Sequence, residues 1–165
     1  MKHLANELYD ALRKNSSEIC VVDCSLDESI RLTKKQVLII ATAFSKQLKK
    51  ESSKRIGIAI PSSGIGLIVN LAVLFANKIP VNINFANPKE TSEYCLRKAS
   101  IGCVLTIRKV MQKFPNFPWP TNTIDCLEKI KAIKSCKKTL ISNAIINFVP
   151  KAISKHILEI PLQAT

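Results

Sequence analysis

The chain has 165 residues, 47% hydrophobic and 22% charged, the balance of one folded domain with a substantial core. Its 25 Lys and Arg against 12 Asp and Glu give a net charge of +13, suited to an acidic protein, an anionic membrane surface or nucleic acid. Nucleic acid is disfavoured: the basic residues stand singly or in pairs such as Lys49-Lys50 and Lys137-Lys138, and the few aromatics are not interleaved with Arg.

The charge is uneven. Residues 108–165 hold 10 basic and 3 acidic residues (net +7), against 15 and 9 (net +6) in residues 1–107. Six cysteines, at 20, 24, 95, 103, 126 and 136, form no C-x-x-C pair, and His3 and His156 are the only histidines. Metal ligation needs closer ligand pairs, so no metal site is expected. The opening residues form no signal peptide, and reduced, partly buried thiols point to the cytosol.

In chain order, residues 4–14 form a helix with Leu4, Leu8, Ala11 and Leu12 on its apolar face. Ile19 to Cys24 and Ser29 to Leu32 form a hairpin around a turn at Leu26-Asp27-Glu28. Thr33 opens a second helix, with Gln36 completing a capping box and Val37, Ile40, Ala41, Phe44 and Leu48 buried. Ile56 to Asn77 carries no charge and is long enough to span a bilayer, but Pro61-Ser62-Ser63-Gly64 breaks it into strand, turn and helix.

Arg55 to Ile60 therefore reads as a buried strand. Ser62 or Ser63 caps a helix from Gly64 to Ala76, and Asn77 closes it in a left-handed conformation. Ile79 to Ile83 is a further buried strand. Asn87 caps a helix with Pro88 at its first position, and Cys103 to Ile107 is a third strand. Strands and helices alternating at this spacing imply right-handed crossovers and a parallel sheet.

Residues 114–120 form a loop. A short helix follows from Cys126 to Ile133. A helix from Leu140 to Ile157 presents Ile141, Ile145, Phe148 and Val149 and breaks near Pro150, and no closing element follows Pro161. The fold class is α/β: a largely parallel sheet flanked by helices, with an N-terminal β-hairpin. Residues 1–113 are the α/β subdomain, and residues 114–165 are a loop and helical connection.

Few residues carry chemistry. Ser62-Ser63-Gly64-Ile65-Gly66 opens a helix that could hold a phosphate, but Val69 breaks G-x-G-x-x-G, so a capped helix start is the expectation. A Ser–His–Asp set drawn from Asp23 and His156 lacks a nucleophile motif. Asp23, Asp27 and Glu28 read as ordinary turn and surface residues. No catalytic, cofactor-binding or metal-binding residue is assigned. Asn82 and Asn84, at the carboxyl end of a strand, are the candidate substrate-binding pair, although local hydrogen bonds fixing the following loop are the stronger explanation of them.

The order of these segments resembles the start of the AMP-binding, adenylate-forming superfamily. The residues are Arg31-Leu32-Thr33-Lys34-Lys35-Gln36-Val37-Leu38, Ile56-Gly57-Ile58-Ala59-Ile60-Pro61-Ser62-Ser63, and Ala76-Asn77-Lys78-Ile79-Pro80-Val81-Asn82-Ile83-Asn84-Phe85. Val81 to Phe85, Val104-Leu105-Thr106-Ile107-Arg108 and Ile145-Ile146-Asn147-Phe148-Val149-Pro150-Lys151 look most like bacterial acyl-acyl carrier protein synthetases, domains associated with 2-acylglycerophosphoethanolamine acyltransferases. Ser62 stands where Asn is usual, and Asn77 where Gly is usual.

The resemblance implies an incomplete N-terminal subdomain of an acyl-CoA synthetase-like fold. The whole enzyme would be a ligase that uses ATP and Mg2+ to activate a fatty acid as an acyl-adenylate, then passes it to acyl carrier protein or coenzyme A. The family's phosphate loop, T-S-G-S/T-x-G-x-P-K-G, is expected just after Pro161 and is absent, so this stretch alone is expected to be inactive. The basic surface also suits peripheral contact with an anionic inner membrane face. The alternative is a non-catalytic basic α/β binding module for an acidic protein or anionic membrane surface.

Overall fold

The computed structural model describes residues 2–24, 29–134 and 137–163. Helix α1 (Leu4–Arg13), the strands β1 (Ile19–Asp23) and β2 (Ile30–Thr33), and helix α2 (Lys34–Leu48) come first. Next are β3 (Arg55–Ile58), α3 (Gly64–Phe75), β4 (Ile79–Asn82), α4 (Lys89–Lys98) and β5 (Cys103–Thr106). Then come α5 (Arg108–Lys113), β6 (Thr123–Asp125), α6 (Cys126–Lys134), α7 (Lys137–Phe148) and α8 (Lys151–Ile157).

β1 and β2 pair antiparallel, and the other four strands form a parallel sheet in the order β4-β3-β5-β6. Alternation along β3 and β5 sends Ile56, Ile58, Cys103 and Leu105 into the main core, shared with α1, α2, α3, α6 and α7. Val104 points the other way, into a smaller cluster with Ala59, Leu96 of α4 and Phe117. Gly57 lies on that side, where a Cβ would sit 2.7 Å from Ile83 Cδ1 and 3.0 Å from Ile101 Cγ2. Glycine at 57 leaves room for the side chains of Ile83 and Ile101 to pack against β3.

Local chemistry set several boundaries as read. The Thr33 hydroxyl accepts from Gln36 N at 3.2 Å and Gln36 Oε1 accepts from Thr33 N at 2.8 Å, closing the capping box. Val37, Ile40, Ala41, Phe44 and Leu48 of α2 are all buried. Asn77 adopts φ 58°, the left-handed conformation that ends α3. Pro150 separates α7 from α8. The charge-free stretch splits into β3, a turn and α3, and no helix among the described residues is long and apolar enough to cross a membrane.

Other expectations are corrected. In α1, Ala5 and Tyr9 are fully buried while Leu4 is 58% exposed and Ala11 is exposed. The Tyr9 ring packs edge-on against Phe75, 6.4 Å between centroids, and rotates the helix toward its larger side chain. β4 is an edge strand, with Ile79 42% exposed. Pro80 lacks an N–H and stands on its unpaired side, because Ile79 N and Ile83 N are the donors to β3. The N-cap of α4 is Pro88, without a side-chain hydrogen bond, in place of Asn87.

α7 buries Ser142 and Ile146, leaving Ile141 58% and Phe148 86% exposed. α5 and β6 were not anticipated. The described residues after α8 pack onto the fold: Leu158 and Ile160 are buried, and His3 N donates to Leu162 O at 3.1 Å beside an antiparallel bridge between Lys2 and Gln163. The turn at Leu26-Asp27-Glu28, Cys136 and Ala164-Thr165 lie outside the described residues.

Candidate functional site

An open parallel sheet offers ligands the crevice beyond the carboxyl ends of its strands, at the point where the winding reverses. β3 connects outward to β4 and the chain then returns across β3 to β5, so the reversal lies between β3 and β5. There the Thr106 hydroxyl, fully buried, donates to Ala59 O at 2.7 Å, and Ala59 N donates to Leu105 O at 2.9 Å. These bonds draw the two strand ends together.

Asn82 and Asn84 stand one strand to the side, on β4 and just beyond it. The Asn82 and Asn70 amides exchange two hydrogen bonds, at 3.2 and 3.3 Å, tying the end of β4 to α3. Asn84 Oδ1 accepts from Ala86 N at 3.0 Å and shapes the loop. Both are exposed and border a groove of about 510 Å³ between β4 and α4, which Val81, Ile83, Ser92, Tyr94 and Lys98 also line. Ser92 is 1% exposed and its hydroxyl has no hydrogen-bond partner. The groove can hold an apolar group against Val81 and Ile83.

The start of α3 is engaged by the protein itself. Asp23 Oδ2 accepts from Gly64 N at 2.8 Å and the Ser63 hydroxyl accepts from Gly66 N at 3.2 Å. A carboxylate at a helix N-terminus satisfies the free N–H groups and the positive end of the dipole, the role an anion would otherwise play. Asp23 is thus a helix cap across 41 residues of sequence, where it had read as a turn residue. His156 lies exposed on α8. At the far edge of the sheet Arg108, 72% exposed, lies 3.9 Å from both Asp125 and Glu128 and is too solvated for a catalytic ion pair.

The buried thiols are not activated nucleophiles. Burial pushes Cys103 up to about 11 and raises Cys126 further, and desolvation also raises Cys20. Among the described residues no cluster of His, Cys, Asp and Glu could hold a metal ion. With the α3 start filled by Asp23, the described residues do not fit a magnesium-nucleotide site.

The sequence matches no protein-family model and no curated protein. Solved structures do match the fold. A nonribosomal peptide synthetase, FmoA3, with AMPPNP bound aligns at TM-score 0.64 and 19% identity over 76% of this chain and 13% of its own. The fatty acid AMP ligase from Legionella pneumophila aligns at TM-score 0.62 and 17% identity, over 79% of this chain and 25% of its own. The N-terminal subdomain of Klebsiella oxytoca NpsA, in complex with anthranilyl-AMSN, gives 0.62 and 14% over 82% and 33%. The chain spans a third or less of each of these proteins. Over most of its length the chain shares the fold of a part of each of these proteins, among them the N-terminal subdomain of NpsA.

Proposed function

We propose that this chain is the N-terminal part of an ATP-dependent acyl ligase of the AMP-binding superfamily. The observation that carries the reading is the β3–α3–β4–α4–β5 unit in a sheet of order β4-β3-β5-β6. The chain aligns with a fatty acid AMP ligase over 79% of its length, and this unit carries the sequence resemblance. In the whole enzyme a fatty acid carboxylate attacks the α-phosphate of ATP, releasing pyrophosphate and leaving an acyl-adenylate. A carrier thiol then takes the acyl group and releases AMP. Those steps depend on placed charge and a bound metal ion, and polypeptide beyond residue 165 would supply both.

Within that reading, residues 1–113 are the scaffold and residues 114–165 lead toward the phosphate loop. Asn82 and Asn84 contribute to a substrate surface through the groove beside β4. The acceptor is acyl carrier protein or coenzyme A, both anionic, and the net charge of +13 favours encounter with either. The test is acyl-adenylate formation, read by mass spectrometry, from ATP, Mg2+ and a series of fatty acids with a polypeptide extended past residue 165. Formation that weakens in Asn82→Ala or Asn84→Ala through KM alone supports both assignments; no adenylate with any fatty acid refutes the ligase reading.

A second reading, a non-catalytic basic binding module, draws on the closure of the chain upon itself. The Tyr9 hydroxyl lies 2.8 Å from the Ser154 hydroxyl, and Lys155 Nζ donates to Asp10 Oδ2 at 2.7 Å. These contacts join the last helix to the first and give one continuous core. A module of this kind would bind an acidic protein or surface without nucleotide.

A further inference from the structure

β4 ends the parallel sheet, and no strand among the described residues pairs with its outer side. Ile79 N and Ile83 N donate to β3, so the alternate positions, Pro80 and Asn82, turn their backbone groups outward, and Asn84 follows them just past the strand. The outer side therefore presents the Asn82 and Asn84 N–H groups as donors and the Pro80 and Asn82 carbonyls as acceptors. Pro80 has no N–H to give. The Asn84 carbonyl is already in use, accepting from Asn87 N at 3.3 Å.

This pattern reads the same after a half-turn about Asn82. When two such edges pair antiparallel, each Asn82 N–H donates to the other Asn82 carbonyl, and each Asn84 N–H to the other Pro80 carbonyl. The donor that Pro80 lacks would have faced the Asn84 carbonyl, which is satisfied within its own chain. Proline on an edge discourages pairing in general; here it disfavours registers that set it against a free carbonyl such as that of Asn82. On the α4 side of the sheet the same register places Val81 opposite Ile83 of the second copy.

Charge agrees with self-association at this edge alone. A chain of net charge +13 repels its own copy where lysines meet, but residues 79–88 carry no charge. Of the flanking lysines, Lys78 turns inward, Nζ donating to Glu51 O at 2.6 Å and Ser53 O at 2.9 Å, and Lys89 lies 3.8 Å from Glu93. Lys98 of α4, which lines the groove beside β4, remains as a like charge. We infer that β4 is the contact of a twofold-symmetric dimer, in which two copies join their sheets into one across an Asn82–Asn82 dyad. A segment of another protein would have to repeat the edge's spacing in reverse, which a second copy does by symmetry. The assignment is independent of the ligase reading: adenylate formed by a monomer, or a dimer that forms none, separates the two.

Sedimentation velocity over a range from about 1 to about 100 µM tests it. The expected result is a monomer–dimer equilibrium that shifts toward dimer as added salt screens the remaining like charges. Asn82→Lys and Asn82→Glu each set like charges against one another on the dyad, and each should raise the dissociation constant by about tenfold or more. Asn82 is exposed, so each variant should keep the parent's circular dichroism. An equimolar mixture of the two should dimerise again, because Lys then faces Glu. A monomer throughout the range, assembly beyond a dimer, or a dimer that Asn82→Lys leaves intact overturns the proposal. So does loss in both folded variants without recovery in the mixture.

Discussion

The carboxylate of Asp23, at the end of β1, accepts a 2.8 Å hydrogen bond from the backbone N–H of Gly64, the first residue of α3. One side chain thereby docks the hairpin onto the parallel sheet's first crossover helix and fills that helix's anion-attracting end. Removing it in Asp23→Ala should cost about 1–2 kcal/mol, the combined scale of a helix cap and a charge on the dipole. The spacing is tight: a Cβ on Gly64 would meet Val21 Cγ1 at 2.9 Å. Gly64→Ala should therefore destabilise by about 1–3 kcal/mol through overpacking. Urea unfolding monitored at Trp119 reads both.

The contacts between α1 and α8 predict a second set of losses. Lys155 is 12% exposed at its side chain, bonds Asp10 and lies 5.9 Å from the centre of the Tyr9 ring. Lys155→Met leaves Asp10 without its partner and should cost about 1–3 kcal/mol, whereas Tyr9→Phe removes the hydrogen bond with Ser154 and the longer one from Arg13 and should cost about 1–2 kcal/mol. The pair should be non-additive, because both residues meet the same turn of α8. A double-mutant cycle in urea checks this.

Thiol chemistry separates the interior from the surface. Cys24 and Cys95 are exposed, whereas Cys103 and Cys126 are buried and their thiols are raised well above the ordinary range. At pH 8 a disulfide reagent should label Cys24 and Cys95 in the native protein. Cys103 and Cys126 should react only when denaturant opens the core. Peptide mapping after a timed pulse gives the order.

Acid should loosen two specific ties. Hydrogen bonds from Lys34 and Asn15 hold Glu18 below the usual carboxylate range, and Lys49, 2.6 Å from Glu159, does the same there. A carboxylate depressed in the folded state stabilises above its unfolded pKa, and that contribution disappears as pH falls through the lower folded value. The urea midpoint should therefore decline below about pH 4.3, the free Glu value. Glu159→Gln should shift less between pH 6 and pH 3 than the parent. Both carboxylates are largely solvated, so each effect should be small.

The legible parts of the fold were those fixed by short-range chemistry. The Thr33–Gln36 box, the left-handed Asn77 and the Pro150 break each depend on a few neighbouring residues and stood where expected. Errors arose where a distant partner decides. Ile79-Pro80-Val81-Asn82 is as apolar as a central strand, and only sheet order makes it an edge; Pro80 was the available signal. Tyr9 outweighed the leucine stripe of α1 because Phe75 and Ser154 receive it. β6, three residues after a proline-rich loop, is too short to show a period. At the candidate site Asn82 and Asn84 were visible as polar residues on a strand end, but the groove beside them depends on α4 and on the buried hydroxyl of Ser92.

The central claim is best tested by ATP–pyrophosphate exchange with a panel of fatty acids, run on residues 1–165 and on a polypeptide extended through the downstream reading frame. The expected result is fatty acid-dependent exchange in the extended polypeptide alone, with the 165-residue chain folded and silent. Exchange in neither, with both well folded, would contradict the ligase reading and leave the basic binding module in its place.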